Sequence, residues 1–494
     1  MGAAQNISSK LDALGASVNA LRSDSRAVRT GDVFLAYPGE QADGRRFIGD
    51  AIKAGASAII WEKEGFTWDE AWRVPNMPVE GLKHFAGHLA DEVYGHPSER
   101  LDVIALTGTN GKTTCSQWIA QAYALRGLRA AVVGTLGVGY PGALQQTSNT
   151  TPDPVVLHEA LKRFADEGAV AVAMEASSIG IEQGRLNGVC VRTGVFTNLS
   201  RDHLDYHPDM ETYARVKMSL FHRPGLRHAV LNMDDVAGVR IAHSLEGEGV
   251  ERVAYSLTRD VGLRSGLERY LEAHHIELSD KGMAFELVSS WGNARVESHL
   301  LGRFNVANLL AVIGALLVSG FSLEDAVDAA KHFEPVAGRM QRVGGGEQAL
   351  AVIDYAHTPD ALEKVLAALR DVARMQHGSL LCVFGCGGDR DRGKRPLMGE
   401  AVSRYADYAI VTSDNPRSEQ PSAIVAEILP GLSIPHDVEI DRRTAIRMAV
   451  AQARRGDVIL IAGKGHEPYQ EIAGQRLPFS DVDEARCALA ERQS

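Results

Sequence analysis

Cysteines, long apolar runs and excess positive charge are scarce or missing in this sequence, and each shortage excludes a class of protein. Five cysteines occur among 494 residues. Such an odd and sparse set does not form a disulfide framework, so we expect reduced thiols that are mostly buried. Cys382 and Cys386 lie four positions apart, but no second Cys/His pair has the spacing of zinc ligands.

Neither membrane insertion nor export is indicated. The longest apolar stretch, 309–318, is interrupted by Gly314, whereas a helix that spans a bilayer needs about 20 apolar residues. The first residues lack a basic segment followed by an apolar one, so they do not look like a secretory signal. We therefore expect a cytoplasmic protein without membrane insertion.

The charge balance argues against a protein that binds nucleic acid through bulk positive charge. Lysine and arginine total 52 and the acidic residues 63, which gives a net charge of −11. Local arginine clusters for small anions are compatible with this balance. We expect small-molecule substrates, no nucleic-acid partner and a monomer.

Length and patterning predict an α/β protein of three domains. At roughly 150 residues per domain, the chain corresponds to about three domains. Apolar strand patterns alternate with helical ones through most of the sequence, which predicts mostly parallel sheets covered by helices. Alternating runs between 274 and 300 predict antiparallel strands instead. Stop signals near Pro97 and Pro335 give a small N-terminal α/β domain over 1–99, a central domain over 100–336 and a C-terminal domain over 337–494.

The strongest motif is a glycine-rich segment between a predicted strand and a predicted helix. It reads Gly108-Thr109-Asn110-Gly111-Lys112-Thr113-Thr114 and precedes a helical pattern over 115–125. In this setting glycines let backbone N–H groups face phosphate oxygens. Lys112 would neutralise β- and γ-phosphate charge, and the hydroxyl of Thr113 would coordinate magnesium. No glycine lies five residues before Gly111, as the usual P-loop has, so an ordinary glycine turn is the alternative.

Polar residues follow the next predicted strand, 169–174. Glu175 comes directly after it, where a carboxylate beside a phosphate loop can hold magnesium. The simpler alternative is a solvated glutamate at a strand end. Ser177, Ser178, Gln183 and Arg185 then offer polar groups to a substrate.

The sequence does not decide whether a histidine and a lysine further along the central domain are functional or structural. His203 shares a loop, 197–207, with His207 and several charged residues, which favours function over the structural role of a lone histidine. Lys217 lies in an apolar helical pattern over 210–221. The residues alone favour a lysine that extends its ammonium to solvent.

Charged loops follow four predicted strands of the C-terminal domain, at 354–357, 387–392, 414–417 and 463–467. Ligands of open α/β sheets bind at the carboxyl ends of strands, so these loops predict one charged pocket. Arg390 and Arg417 offer bidentate contacts to carboxylates. Asp414 and Glu467 could bind an ammonium group. Arginines for a carboxylate beside carboxylates for an ammonium indicate an amino-acid zwitterion as the ligand.

Together these segments resemble the Mur ligase family of bacterial cell-wall synthesis over nearly the whole chain. The matching pieces are GTNGKTT at 108–114, NTTPD at 149–153, MEASS at 174–178, TNLSRDHLDYH at 197–207, GRFNVAN at 302–308, DYAHTPDAL at 354–362, GCGGDRDRGKRP at 385–396, DNPR at 414–417 and GKGHE at 463–467. The DNPR spelling is similar to that of members that add diaminopimelate, whereas lysine-adding members differ here.

The resemblance implies a fold and a reaction. A UDP-substrate-binding domain would precede a central P-loop mononucleotide-binding ATPase domain and a C-terminal Rossmann-like domain. ATP would phosphorylate the D-glutamate carboxylate of UDP-N-acetylmuramoyl-L-alanyl-D-glutamate, and the amine of meso-diaminopimelate would attack the acyl phosphate. Phosphorylation supplies a good leaving group, and magnesium with cationic side chains offsets the charge. The product is a peptidoglycan precursor, which links the enzyme to cell shape and division.

The resemblance also implies residue roles. ATP would contact 108–114, Asn305, Arg339 and His357. Magnesium would be held by Thr113, Glu175, His203 and Lys217, the last as a carbamate (N6-carboxylysine), and catalysis would involve Lys112, His203 and Lys217. The UDP substrate would contact Ser23, Ser25, Gln41, Ala42, Asn149, Thr150, Thr151, Ser177, Gln183 and Arg185. Diaminopimelate would contact Arg390, Asp414, Asn415, Pro416, Arg417, Gly463 and Glu467.

Three residues depart from the family pattern, and several alternatives stay open. Ile179, Glu40 and Pro208 stand where many members have histidine, a neutral polar residue and glycine respectively. Related alternatives are a lysine-adding homologue and an amide ligase similar to folylpolyglutamate synthetase. A P-loop switch or motor would hydrolyse ATP without an amine acceptor, and a non-catalytic binding module conflicts with the intact GKTT and Glu175.

Overall fold

A computed structural model describes residues 18–39, 42–147, 149–279 and 281–492. The chain divides into two compact units. The first comprises Met1–Thr107, Tyr123–Val195 and Val216–Ala229, and the second comprises Gly108–Ala122, Phe196–Arg215 and Val230–Ser494.

Helices and strands alternate through both units. The helices are α1 (Ile48–Lys53), α2 (Leu82–Val93), α3 (Lys112–Leu125), α4 (Pro154–Asp166), α5 (Ser178–Glu182), α6 (Met210–Met218), α7 (Val236–Ser244), α8 (Val261–Ser265), α9 (Arg303–Val318), α10 (Leu323–His332), α11 (Pro359–Met375), α12 (Lys394–Tyr405), α13 (Pro421–Ile428), α14 (Arg442–Gln452) and α15 (Asp481–Glu491). Within the described residues, none of them is long and apolar enough to cross a bilayer.

The strands are β1 (Leu21–Arg22), β2 (Val33–Ala36), β3 (Ala58–Glu62), β4 (Asn76–Val79), β5 (Asp102–Thr107), β6 (Ala130–Gly134), β7 (Gly137–Tyr140), β8 (Ala143–Gln145), β9 (Ala171–Glu175), β10 (Thr193–Phe196), β11 (His228–Asn232), β12 (Glu251–Ser256), β13 (Arg269–Ser279), β14 (Gly282–Ser289), β15 (Gly292–Ser298), β16 (Gln341–Gly344), β17 (Leu350–Asp354), β18 (Leu380–Phe384), β19 (Tyr408–Val411), β20 (His436–Val438), β21 (Val458–Ala462), β22 (Tyr469–Ile472) and β23 (Gln475–Pro478).

The first unit begins with a parallel sheet in the order β1-β2-β3-β4. Strands β2 and β3 are buried along their whole length, as expected for apolar strands that are covered on both faces. Helix α2 packs its buried residues against one face, and a second cluster that includes Ile48 and Trp61 covers the other. This arrangement confirms the predicted α/β character of the segment.

A second sheet of the first unit runs in the order β10-β5-β9-β6-β7-β8. Strands β5, β9 and β6 are parallel neighbours, whereas β6, β7 and β8 pair antiparallel. Because β5 and β9 are parallel, Thr107 and Glu175 both lie at the carboxyl edge of this sheet. Helix α4 buries an apolar face that includes Leu157, Leu161 and Phe164.

The second unit contains the consecutive paired strands β12–β15. Strands β12 and β13 are parallel, and β13, β14 and β15 pair antiparallel. This confirms the antiparallel strands predicted between 274 and 300. Helix α9 is apolar on all sides and almost wholly buried, which identifies it as a core helix.

The C-terminal part of the second unit is a six-stranded sheet in the order β16-β17-β21-β18-β19-β20. Strands β17, β21, β18 and β19 are parallel, and apolar clusters cover both faces. The loops that follow these four strands therefore leave the same edge of the sheet. This confirms the expectation that four charged loops share one edge.

Several predicted boundaries differ from the observed ones. Helix α3 begins at Lys112 rather than at residue 115. The helix predicted over 210–221 ends at Met218 and continues as a 3₁₀ turn over Ser219–His222, because Pro224 disfavours helical backbone at the residue before it. Glu175 is the last residue of β9 and not the first residue beyond it.

The cysteines are free thiols with different exposures. Cys115, Cys382 and Cys386 are buried, Cys190 is half-buried and Cys487 is exposed. The predicted burial therefore holds for three of the five positions.

Candidate active site

The glycine-rich loop lies between β5 and α3 in a conformation that requires glycine. Gly108 and Gly111 have φ angles of 143° and 89°. A Cβ at Gly108 would lie 2.0 Å from Oγ1 of Thr197, and one at Gly111 would lie 2.5 Å from Oδ1 of Asn308. Both glycines thus allow a close backbone approach that no other residue permits.

The loop ends in the first turn of α3, and the N-terminal turn of a helix favours anions. The Nζ atom of Lys112 donates to the carbonyl oxygens of Gly108 at 2.7 Å and Thr109 at 2.8 Å. The ammonium is therefore held over the loop, where a phosphate would need a cation.

The strand-exit segment after β10 fixes the loop. Backbone N–H groups of Thr109 and Asn110 donate to the carbonyl and side-chain oxygens of Asn198, at 2.8 and 3.0 Å. The carbonyl of Asn110 accepts from Thr197 Oγ1 at 2.7 Å and from Asn198 Nδ2 at 3.0 Å. Sequence reasoning missed this role of Asn198, although TNLS belongs to a quoted motif.

Arg339 and two asparagines also reach the loop within the second unit. The guanidinium of Arg339 donates to Thr113 Oγ1 at 3.2 Å and lies over the Tyr355 ring, 4.3 Å from its centroid. Asn305 accepts from Asn308 Nδ2 at 2.9 Å, and Asn308 in turn lies against Gly111. The structure thus brings Arg339 to Thr113, whereas Asn305 is linked to the loop through Asn308.

A buried carboxylate, Asp202, lies between two histidines. Its Oδ2 atom is 3.4 Å from Nε2 of His203 and 3.7 Å from Nε2 of His357. Burial alone would raise the pKa of Asp202, but His357, His203 and Lys394 outweigh it and hold that pKa well below its usual range. His203 has a φ of 54°, a left-handed conformation that is uncommon for a residue with a side chain.

Asp360 links the beginning of α11 to the glycine-rich loop. Its Oδ2 atom accepts from Asn110 Nδ2 at 2.8 Å and from Ser200 Oγ at 3.2 Å. Lys364 donates to the same oxygen at 2.9 Å. Asp360 lies inside the quoted DYAHTPDAL segment, but nothing in its local pattern pointed to partners 250 residues away.

The loops after β19 and β21 form a buried charged cluster. The Nζ atom of Lys464 is fully buried and donates to Asn415 Oδ1 at 2.9 Å and Glu467 Oε2 at 3.1 Å. Asp414 Oδ1 lies 3.9 Å from the same ammonium. Gly463 has a φ of 114°, and a Cβ there would lie 2.2 Å from Asp414 Oδ2. Asp414 and Glu467 therefore already face one internal ammonium, that of Lys464, which sequence reasoning did not single out.

Arg390 and Arg417 emerge from the loops after β18 and β19. Arg417 donates to the carbonyl of Gly388 at 2.7 Å and its Nε is 3.9 Å from Glu471 Oε2. Arg390 donates to Asp205 Oδ2 at 3.1 Å, and its side chain is half exposed. The carbonyl of Pro416 lies against Gly388, where a Cβ would be 1.9 Å away.

In the first unit, Glu175 is buried within a group of hydroxyls. Its two carboxylate oxygens accept from the backbone N–H of Thr135 at 2.8 Å and from Thr135 Oγ1 at 3.1 Å. Thr135 Oγ1 also contacts Thr150 Oγ1 at 3.1 Å. This corrects the picture of a solvated strand-end carboxylate.

The predicted substrate residues of the first unit lie around Thr151. Its hydroxyl donates to the carbonyl of Glu175 at 2.9 Å and contacts Ser177 Oγ at 3.0 Å. Arg185 donates to the carbonyl of Thr151 at 2.7 Å and to Gln183 Oε1 at 2.6 and 2.9 Å. The structure therefore brings together residues from two of the quoted motifs.

Ser23 is held by a residue that sequence reasoning missed. Its hydroxyl donates to Asp153 Oδ1 at 2.9 Å, and Tyr37 donates to Asp153 Oδ2 at 2.9 Å. Ser25 begins a short 3₁₀ turn, and the carbonyl of Ala42 accepts from the N–H of Gly39. The predicted contact residue Gln41 and the departure Glu40 lie outside the described residues.

Lys217 lies at the end of α6 and is 2% exposed. Its ammonium does not reach solvent, so the interpretation as a solvent-extending lysine is wrong. Within the described part of the chain, no three His, Cys, Asp or Glu side chains are grouped as ligands for a metal ion.

Three family models match consecutive parts of the chain. They are described as "Mur ligase family, catalytic domain" over residues 17–94, "Mur ligase middle domain" over 106–316 and "Mur ligase, glutamate ligase domain" over 338–465.

Individual relatives match over almost the full chain. The protein named UDP-N-acetylmuramoyl-L-alanyl-D-glutamate–2,6-diaminopimelate ligase of Janthinobacterium sp. (strain Marseille) is 49% identical over 96% of this chain and 94% of its own. The equally named protein of Chromobacterium violaceum is 50% identical over 97% and 96%. A solved structure of a ligase with this name has a TM-score of 0.66 and 40% identity, and covers 96% of this chain and 95% of its own.

Proposed function

The chain belongs to the Mur ligase family, and we propose that it joins meso-2,6-diaminopimelate to the D-glutamate carboxylate of UDP-N-acetylmuramoyl-L-alanyl-D-glutamate, using ATP. The observation that carries the proposal is the charged edge of the C-terminal sheet. At this edge, the loops that carry Arg390 and Arg417 lie next to the charged cluster of Asp414, Lys464 and Glu467. Relatives at 46 to 50% identity bear the name of this ligase, which supports the same acceptor.

The three-domain division is part of the proposal. A substrate domain over 1–99, an ATPase domain over 100–336 and an amino-acid-binding domain over 337–494 each contain one of the matched family models. We further propose a cytoplasmic monomer, whose product enters peptidoglycan synthesis and thereby supports cell shape and division.

ATP phosphates are proposed to bind at Gly108–Thr114. The first turn of α3 supplies N–H groups, and Lys112 and Arg339 supply positive charge at the loop. His357 and Asn305 complete the proposed nucleotide contacts. Arg339 bonds to Thr113 in this structure, and we propose that it turns to the phosphates when they bind.

Magnesium is part of the proposal. It prefers oxygen ligands and takes part of its coordination from water and substrate phosphates rather than from an all-protein cage. The Thr113 hydroxyl and the Glu175 carboxylate are proposed as ligands because both offer oxygen donors. Bound magnesium would offset the charge of the transferred phosphoryl group. His203 and carbamylated Lys217 are proposed as further ligands.

Lys217 is proposed to carry the carbamate. The ammonium would first lose a proton, and the resulting amine nitrogen would add to the carbon of carbon dioxide and lose a second proton. A carboxylate-like anion would thus replace a buried cation. The burial of the side chain supports this role, because it keeps the carbamate from bulk water.

The proposed reaction has two steps. A D-glutamate carboxylate oxygen attacks the γ-phosphorus of ATP, and ADP leaves. The acceptor amine then attacks the acyl carbon, a tetrahedral intermediate forms, and phosphate leaves as the nitrogen loses a proton. We propose that the muramoyl-peptide is held by Asn149, Thr150, Thr151, Ser177, Gln183 and Arg185, and that the uridine and the nearby diphosphate meet Ser23, Ser25, Gln41 and Ala42.

Phosphate release tests the proposal against a P-loop switch or motor. We expect rapid release from ATP only when the UDP-muramoyl-dipeptide and meso-diaminopimelate are both present. Omission of either should reduce the rate to background. Equal release with ATP alone would contradict a ligase.

A further inference from the structure

The two arginines of the proposed acceptor pocket lie on adjacent loops that both contain strained backbone. The loops follow β18 and β19, which are parallel neighbours. Asp389 has a φ of 53° and Arg417 a φ of 50°. Left-handed backbone is disfavoured for residues with a Cβ and persists only where neighbours hold it.

Direct contacts join the two loops. Ser418 donates to Asp389 through its hydroxyl at 2.6 Å and through its N–H at 3.1 Å. The N–H of Gly388 donates to the carbonyl of Asn415 at 2.9 Å. Each strained residue therefore lies in or beside a contact between the loops.

A buried arginine, Arg395, holds Glu419, which is also in contact with Asp389. Arg395, at the start of α12, donates to both oxygens of Glu419 at 2.7 and 3.0 Å, and its side chain is 1% exposed. Glu419 also accepts from the N–H of Asp389 at 2.7 Å. Hydrogen bonds from Arg395 lower the pKa of Glu419 to about 2, so this carboxylate is charged at neutral pH.

The guanidinium of Arg417 is oriented by a carbonyl that these contacts position. Its NH1 atom donates to the carbonyl of Gly388 at 2.7 Å, and Gly388 is the neighbour of Asp389. On the other side, the N–H of Arg417 donates to the carbonyl of Glu471 at 3.0 Å. A shift of the 385–392 loop would therefore move the guanidinium.

We propose that Asp389, Ser418, Glu419 and Arg395 form a loop brace that positions Arg417 for the distal carboxylate of the acceptor. The inference rests on the proposed function, because it takes diaminopimelate as the occupant of this pocket. The four are positioning residues that act through Arg417. Their effect falls on selectivity, since L-lysine has no distal carboxylate for Arg417 to bind.

The test uses Asp389→Asn and Ser418→Ala in the full-length enzyme. Asparagine removes the negative charge that strengthens both bonds from Ser418, and alanine removes the shorter bond without a change of charge. We expect KM for meso-diaminopimelate to rise about 10- to 100-fold, as misplaced binding groups do elsewhere. We expect kcat and KM for ATP to stay within about twofold.

Arg404→Gln is the matched control. Arg404 lies on α12, the helix that also carries Arg395, but its side chain is exposed and bonds to Glu363. It should leave KM for diaminopimelate within about twofold of the wild type. Thermal unfolding of each variant verifies that the fold is retained, and Ser418→Ala keeps all charges of the brace.

A double-mutant cycle separates positioning from general structure. In an Arg417→Ala background, Asp389→Asn should change kcat/KM for diaminopimelate by less than about twofold, because the group through which it acts is gone. An undiminished effect in that background, or equal losses for ATP and acceptor, would overturn the brace. If the wild-type enzyme does not use diaminopimelate, both the proposed function and the brace are wrong. If the wild type uses diaminopimelate and the variants have the same KM for it, only the brace is wrong.

Discussion

Under the proposed function, Arg417 is the side chain on which acceptor choice should depend most directly. We predict that Arg417→Ala lowers kcat/KM for meso-diaminopimelate by about 100-fold, because a charge-assisted pair with a carboxylate is lost. KM for ATP should change by less than about twofold, since the proposed nucleotide contacts lie elsewhere. Steady-state kinetics with each substrate varied in turn measures both. Arg404→Ala, which removes an exposed pair with Glu363 in the same sheet domain, is the control. Equal losses for both substrates would show that the pocket is misassigned.

Lys217 tests the proposed carbamate. We predict that Lys217→Ala abolishes activity and that formate or acetate at high concentration restores part of it, because a free carboxylate can take the place of the carbamate. Lys162→Ala removes an exposed lysine that pairs with Asp166, and it should be unaffected by these anions. A fully active Lys217→Ala enzyme would remove the carbamate from the account.

Glu419 gives a pH prediction with a definite sign. Its pKa is lowered from 4.5 to about 2 by hydrogen bonds from Arg395. A lowered carboxyl pKa stabilises the fold above the ordinary value, and this contribution is lost as the pH falls toward the folded-state value. Between about pH 5 and pH 2 the wild type should therefore lose stability more steeply than Glu419→Gln. Urea unfolding across this range measures the slopes, and parallel slopes would contradict the assignment.

Single residues were predictable where local pattern carries their role. Gly108, Gly111 and Lys112 follow from a strand, a turn and a helix in succession, and Arg417 follows from its place at a strand end. Asn198, Asp202, Asp153 and Lys464 were missed, and each has at least one partner that is distant in the chain. No local pattern indicates that Asp360 binds Asn110, 250 residues away.

At the scale of elements, the pair Arg442–Asp481 connects helices to the pocket edge. Arg442 begins α14 and Asp481 begins α15, and their side chains are fully buried with two bonds of 2.8 Å. Arg442 also donates to the carbonyls of Ala462 and Ser413, at the ends of the segments that lead into the pocket loops. The pair therefore fixes where those loops begin.

Loss of one partner should be strongly destabilising. We predict that Asp481→Ala lowers the free energy of unfolding by about 3 to 5 kcal/mol, because it leaves a buried arginine without its counter-charge. Urea denaturation measures the change. Glu491→Gln, which breaks an exposed pair with Arg447, should cost less than about 1 kcal/mol. A similar small loss in Asp481→Ala would contradict this account of the pair.

Strands and helices could be predicted where the sequence has a clear apolar pattern and were missed where it has none. The buried strands β17, β18 and β21 are continuous apolar runs, and the charged loops predicted after them lie at or shortly after their observed ends. The strands β7 and β8 were missed, because alternating glycines in the former and exposed residues in the latter give no strand signal. Helix α3 started earlier than predicted, because its first turn is also the end of the phosphate loop.

At the scale of the whole molecule, the family was recognisable from the order of the motifs, and the comparisons bear this out across 46 to 50% identical relatives. The α/β class followed from alternation of strand and helix patterns. The domain boundaries stay a prediction, since they depend on contacts between distant segments that composition does not encode.

An amine-acceptor screen tests the central claim most directly. The purified enzyme is given ATP, UDP-N-acetylmuramoyl-L-alanyl-D-glutamate and one acceptor at a time, and the amide product is measured by mass. The account predicts ready product formation with meso-diaminopimelate and at least about 100-fold lower kcat/KM with L-lysine or L-glutamate, because neither has the distal zwitterion that Arg417 and its neighbours are proposed to bind. Equal or better use of L-lysine would contradict it.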